Sequence, residues 1–162
     1  MSKLIYDDPK ESMNQHTPLH ILLADDDEDD TFLFKEALEQ VPLTTKLVIA
    51  ENGVELMHSL NKFQTVPDLI FLDMNMPVKN GLECLYEIRN SDQYKGIPVI
   101  ILSTSIASYL LESAYHGGAN LYIQKPTSFS ELVNILNKCL ARKEDLVSSP
   151  DLEQFLIKNN GN

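Results

Sequence analysis

The sequence predicts an α/β domain: a doubly wound, five-stranded parallel sheet with five helices. Two observations predict it. Short apolar runs alternate with amphipathic segments five times between His20 and Leu140. One of the runs, LIFL at 69–72, is apolar at every position, the mark of a strand covered on both faces. Strict alternation of strand and helix implies crossover connections, hence a parallel sheet with helices on both sides.

Each element has its own signal. His20–Ala24 (HILLA) reads as the first strand. Asp30–Val41 carries Phe34, Leu38 and Val41 at helical spacing and is stopped by Pro42. Lys46–Ala50 is the second strand, and Asn52-Gly53 turns the chain into a helix over Val54–Leu60. Leu69–Leu72 is the third strand; Gly81–Asn90 follows as a helix with Leu82, Leu85 and Ile88 on one side. Val99–Leu102 is the fourth strand, and the helix over Ala107–His116 ends at Gly117-Gly118. Leu121–Ile123 is the fifth strand and Ser128–Leu140 the fifth helix. The domain therefore spans 18–142. Residues 1–17 are polar, hold Pro9 and show no period, which reads as a flexible N-terminal arm. Residues 143–162 form a C-terminal tail in which Leu152, Phe155 and Leu156 could make one docking amphipathic turn.

Composition excludes several classes. The chain has 162 residues, 24 acids and 13 bases, a formal charge of −11. Such a balance disfavours nucleic-acid binding, because phosphate backbones are held by Lys and Arg. No apolar run spans a bilayer, and residues 1–17 lack the apolar core of a secretory signal. Cys84 and Cys139 fit neither a disulfide framework nor metal-like spacing and read as core thiols. His16, His20, His58 and His116 form no metal-like group. The chain reads as a reduced, soluble, cytoplasmic protein.

The chemistry sits at the strand ends. Six acids, Asp25–Asp30, follow the first strand. Glu28, Asp29 and Asp30 are explained by a helix N-terminus, where the dipole favours acids. Asp25 and Asp26 lie at the carboxyl end of a strand, where open α/β sheets bind ligands. A calcium-loop reading of Asp25, Asp27, Asp29 and Glu36 fails, because Asp30 stands where the loop needs glycine. The third strand ends in Asp73. In a sheet ordered 2-1-3-4-5, the first and third strands are neighbours, so three carboxylates crowd one crevice and call for a cation. Magnesium suits such oxygen ligands. The fourth strand leads to Ser103, Thr104 and Ser105, and the fifth to Lys125-Pro126. A hydroxyl and an ammonium beside a metal–carboxylate cluster suit a phosphoryl group.

With these motifs in place the sequence resembles the receiver domain of two-component response regulators. ILLADDDEDD (21–30), LIFLDMNMPVKNGLE (69–83), VIILSTS (99–105) and GANLYIQKP (118–126) carry the resemblance, which covers 19 to 141. It implies a flavodoxin-like three-layer sandwich of the single-domain, stand-alone type. It implies Asp73 as phosphoacceptor, Asp25 and Asp26 as metal residues with Asp73, and a metal-directed backbone carbonyl at Asn75. It further implies Ser103 as the switch hydroxyl, Lys125 as the phosphoryl partner and Tyr122 as the aromatic switch. Lys125-Pro126 resembles the family's cis peptide, and Asn75 and Ser105 occupy positions that tune acyl-phosphate lifetime.

The expected function is a signalling switch, not an enzyme beyond its own phosphorylation and dephosphorylation. Its phosphate would come, with Mg2+, from a sensor histidine kinase or a histidine phosphotransfer protein. About 20 residues follow the fifth helix, too few for a three-helix DNA reader. Output would then pass through the face of the fourth helix, fifth strand and fifth helix, or onward in a phosphorelay; the resemblance also allows a homodimer, and neither nucleic acid nor membrane is an expected partner. An aspartate-nucleophile phosphohydrolase would want an acid two residues after Asp73, where Asn75 stands. A flavin module would want Ser, Thr and Gly after the first strand rather than acids. A phosphate-independent docking receiver is the remaining alternative.

Overall fold

A computed structural model describes residues 17–62, 66–147 and 151–159. The N-terminal arm expected over 1–17 lies, apart from Thr17, outside them.

The chain runs β1 (Leu19–Ala24), α1 (Glu28–Glu39), β2 (Thr45–Ala50), α2 (Gly53–Lys62), β3 (Leu69–Asp73), α3 (Gly81–Arg89), β4 (Val99–Ser103), α4 (Ser108–His116), β5 (Leu121–Gln124) and α5 (Phe129–Ala141). A 3-10 turn at Lys143–Val147, a one-turn helix α6 (Leu152–Phe155) and a short strand β6 (Leu156–Ile157) follow. The sheet is parallel throughout, in the order β2-β1-β3-β4-β5-β6. The expected order of five strands is present, and a sixth strand from the tail is added to it. Two residues are too few to show a strand period in the sequence; β6 exists because it pairs with β5, Tyr122 opposite Leu156 and Ile123 opposite Ile157.

Alternation of side chains along the strands builds two cores. Leu22, Leu72, Ile101 and Tyr122 face α2, α3 and α4, where they meet Leu56, Leu85 and Ala114. Leu23, Phe71, Ile100 and Ile123 face α1 and α5, where they meet Phe34, Ala37, Leu136 and Cys139. Every residue of β3 and β4 is buried, as two-sided cover requires. Cys84 and Cys139 are buried free thiols within these cores.

Local signals set the helix starts. α1 begins two residues before the expected Asp30, because Asp27 is its cap: the Asp27 carboxylate accepts from the Asp30 N–H at 3.0 Å. Asn80 and Glu83 form a reciprocal capping box that starts α3 just after the β3 loop. Gly81 is needed there. A Cβ on it would lie 2.4 Å from the Asp73 carbonyl oxygen and 2.8 Å from the Met74 Cα. α3 can approach the end of β3 this closely only without a side chain at that position.

One expectation is corrected. The Lys125–Pro126 bond is trans, since no peptide bond among the described residues is cis. For a bond before proline the trans form is favoured by about 0.5–1 kcal/mol, so proline by itself does not dictate the cis form.

Candidate acidic site at the carboxyl ends of the strands

Neighbouring strands bring the acids together. β1 and β3 pair with Ala24 opposite Leu72, so Asp25 and Asp73 emerge side by side one residue later. Asp25 is 3% exposed and Asp73 6%, whereas Asp26 is exposed. One carboxylate oxygen from each of Asp25, Asp26 and Asp73 lies within 4.8 Å of the other two.

One ammonium holds this cluster. Lys125, one residue past the end of β5, directs its Nζ to Asp25 Oδ2 at 2.9 Å and to Asp30 Oδ2 at 2.7 Å. Asp73 Oδ1 lies farther away, at 3.7 Å. Burial works against the charge on Lys125, yet the hydrogen bonds to Asp30 and Asp25 outweigh it and hold its pKa above the ordinary lysine value. Asp73 goes the other way. Burial, together with the charges of Asp25 and Asp26, raises its carboxyl from 3.8 to about 7. Lys125 and a hydrogen bond from the Asn75 backbone N–H pull it back only in part. Four carboxylates, those of Asp25, Asp26, Asp30 and Asp73, around one ammonium leave an excess of negative charge.

The donor set suits a divalent cation. Carboxylate oxygens favour hard ions, and a second positive charge would relieve the crowding that raises Asp73. Asp25, Asp26 and Asp73 could hold it. The Asn75 side is open, since that residue is exposed.

The other expected site residues are close by. Ser103 ends β4 fully buried, and its Oγ accepts from the Ser105 N–H at 3.2 Å. Tyr122 is fully buried and points inward, its hydroxyl donating to the Ser105 carbonyl at 2.6 Å. Burial raises the Tyr122 phenol above its usual value, while a hydrogen bond with Ser103 lowers it. Lys125 is tied to this strand end as well, its N–H donating to the Ser103 carbonyl at 2.8 Å.

Asp30 is the residue that sequence reasoning missed. Within a run of six acids nothing distinguishes it from its neighbours; its partner stands 95 positions away. Asp27 caps the helix, and that leaves Asp30 to reach Lys125 from the first turn.

Comparison with known proteins decides the family. A model of the response regulator receiver domain matches residues 21–137. The chain belongs to this family.

This receiver is 31% identical to the response regulator Rcp1 of Synechocystis over 130 residues, 77% of its own length and 88% of that protein's. Among solved structures, a phosphorylated cyanobacterial phytochrome response regulator, RcpA, superposes with a TM-score of 0.74 at 32% identity, covering 83% of this chain and all of that one. The Mn2+-bound form of Rcp1 gives 0.71 at 29% identity, with 83% and 100% covered. The receiver domain of a two-component system, a signalling switch, is thus the general description of this chain. Among the described residues no helix is long and apolar enough to cross a membrane.

Proposed function

We propose that this receiver accepts a phosphoryl group on Asp73 from a phosphohistidine of a sensor kinase or phosphotransfer protein. The observation that carries the reading is the setting of Asp73: a buried carboxylate at a strand end, between two further carboxylates and 3.7 Å from an ammonium. An Asp73 carboxylate oxygen attacks phosphorus; the new P–O bond forms as the P–N bond breaks, and the electron pair returns to the imidazole. Lys125 neutralises charge on the phosphoryl oxygens, which requires it to turn from Asp30 toward Asp73. Mg2+ is the proposed ion. Asp25, Asp26, Asp73 and the Asn75 backbone carbonyl would hold it, and it would supply further charge neutralisation at the transferred group. A Mn2+-bound relative and a phosphorylated relative of the same fold support both parts of this reading.

Ser103 and Tyr122 are the proposed relay. The Ser103 hydroxyl meets the phosphoryl group, and Tyr122 follows through the Ser105 segment it already touches. Asn75 and Ser105, beside the acceptor and the switch hydroxyl, set how long the acyl phosphate lasts. Output goes from the face of α4, β5 and α5 to a protein partner in the cytoplasm, a second copy of the chain included, or by onward phosphorelay.

The test is incubation with acetyl phosphate and Mg2+, followed by intact-mass measurement. The wild-type chain gains one phosphoryl group and D73N gains none. Equal labelling of D73N, or sustained turnover of a small phosphate ester, overturns the assignment.

A further inference from the structure

The C-terminal segment does more than follow the domain. Phe155 is 1% exposed, and its ring stands edge-on to Tyr115 at 5.1 Å and tilted against Tyr122 at 6.1 Å. Leu156 and Ile157 pair with β5 and pack one onto each core. Asn159 closes the contact: its N–H donates to the Gln124 side chain at 2.8 Å, and its side-chain amide donates to the Lys125 carbonyl at 3.1 Å. An aromatic anchor, two paired aliphatic residues and a polar clamp make up a strand-addition contact of the kind used to bind extended peptides.

The contact touches the acidic site at two places. Tyr122, against which Phe155 packs, bonds the Ser105 segment that in turn bonds Ser103. Lys125 is shared outright. Asn159 holds its carbonyl, Ser103 holds its N–H, and Asp25 and Asp30 hold its ammonium. Any change that moves Lys125 or Tyr122 alters what the segment rests on. The segment itself is small, one helical turn and two strand residues, so it can dock or leave as a unit.

We infer that the outer edge of β5, with its Tyr115–Tyr122 cradle, is a strand-docking site occupied by the chain's own residues 151–159, and that this occupancy is coupled to the chemical state of Asp73. The coupling rests on the acceptor reading of Asp73; the docking does not. Two binding events that share Lys125 and Tyr122 are coupled to the extent that either one displaces these residues, and linkage makes that influence reciprocal.

Hydrogen exchange of the full chain, read by mass spectrometry on peptides covering 151–159, tests both halves. For docking, Phe155→Ala and the milder Asn159→Ala, which opens no cavity, speed exchange at 156–159. Wild-type rates in both variants overturn the docking site. For coupling, beryllofluoride with Mg2+ serves as the phosphoryl mimic. It is expected to change exchange at 156–159 by at least about fivefold, and Asn159→Ala to shift beryllofluoride affinity by at most that factor, reached when the variant leaves the segment undocked. Rates equal within about twofold, with beryllofluoride bound by fluorine NMR, overturn the coupling. Should fluorine NMR find no binding, the acceptor reading is what fails. The D73N chain against wild type, under the same criterion, then decides whether the charge at Asp73 is felt by the segment.

Discussion

Lys125 Nζ lies 2.7 Å from Asp30 Oδ2, a bond that ties the end of β5 to the first turn of α1 across 95 positions of chain. It draws the ammonium toward α1 and leaves Asp73 the most distant of its three carboxylate partners, at 3.7 Å. Asp30 therefore competes with the proposed acceptor for the same cation. Asp25 is common ground, bonded to Lys125 at 2.9 Å and belonging to the carboxylate trio.

Breaking this tie from its two ends should give different results. Asp30 is 40% exposed at its side chain, so D30N is expected to cost only about 0.5–1 kcal/mol in urea unfolding and to leave Lys125 freer to meet Asp73. Lys125→Met leaves buried carboxylates without their cation and should cost about 2–4 kcal/mol. A D30N chain that loses as much stability as Lys125→Met would show that the tie is not divided in this way.

The raised Asp73 carboxyl has a pH signature in the absence of divalent ions. Its folded value is about 7 against an ordinary 3.8, so the native state holds the proton more tightly than the unfolded chain. The resulting contribution is fully present below about pH 4 and is lost as pH rises through 7. D73N lacks that loss. At pH 8, without divalent ions, it should melt at least about 3 °C above wild type. A lower melting temperature for D73N under those conditions would refute the crowding argument.

Divalent-ion binding should follow the same proton. The proposed ion site needs Asp73 ionised, so Mg2+ affinity is expected to climb as pH passes upward through about 7, with proton release on binding. Calorimetry in two buffers of different ionisation enthalpy reads the released proton. Chelation should lower the melting temperature of wild type at pH 8 and leave D73N nearly unchanged.

Gly81 places the proposed acceptor. A methyl there would press into the Asp73 carbonyl and the Met74 backbone, neither of which is a flexible side-chain end. Gly81→Ala should cost about 1–3 kcal/mol and slow labelling by acetyl phosphate. Gly96→Ala, where nothing lies within 4 Å of the added carbon, is the control and should stay within about 0.5 kcal/mol of wild type.

The order of the five longer strands was legible only through the resemblance to a known family. The sequence by itself determined the alternation that builds two cores, and the strand ends at which the acids, Ser103 and Lys125 stand. These are periodic or adjacent features, readable inside one element. Only the tertiary structure decided the rest. Asp27 and Asp30 look alike in a run of acids, yet one caps α1 and the other binds Lys125, because only one faces β5. The trans form before Pro126 was equally invisible, and a docking turn around Phe155 could be expected but not its seat on Tyr122. β6 carries no strand signal of its own and takes its conformation from the open edge of β5. Each depends on contacts between residues far apart in the chain, whose energies exist only once the sheet has brought them within reach.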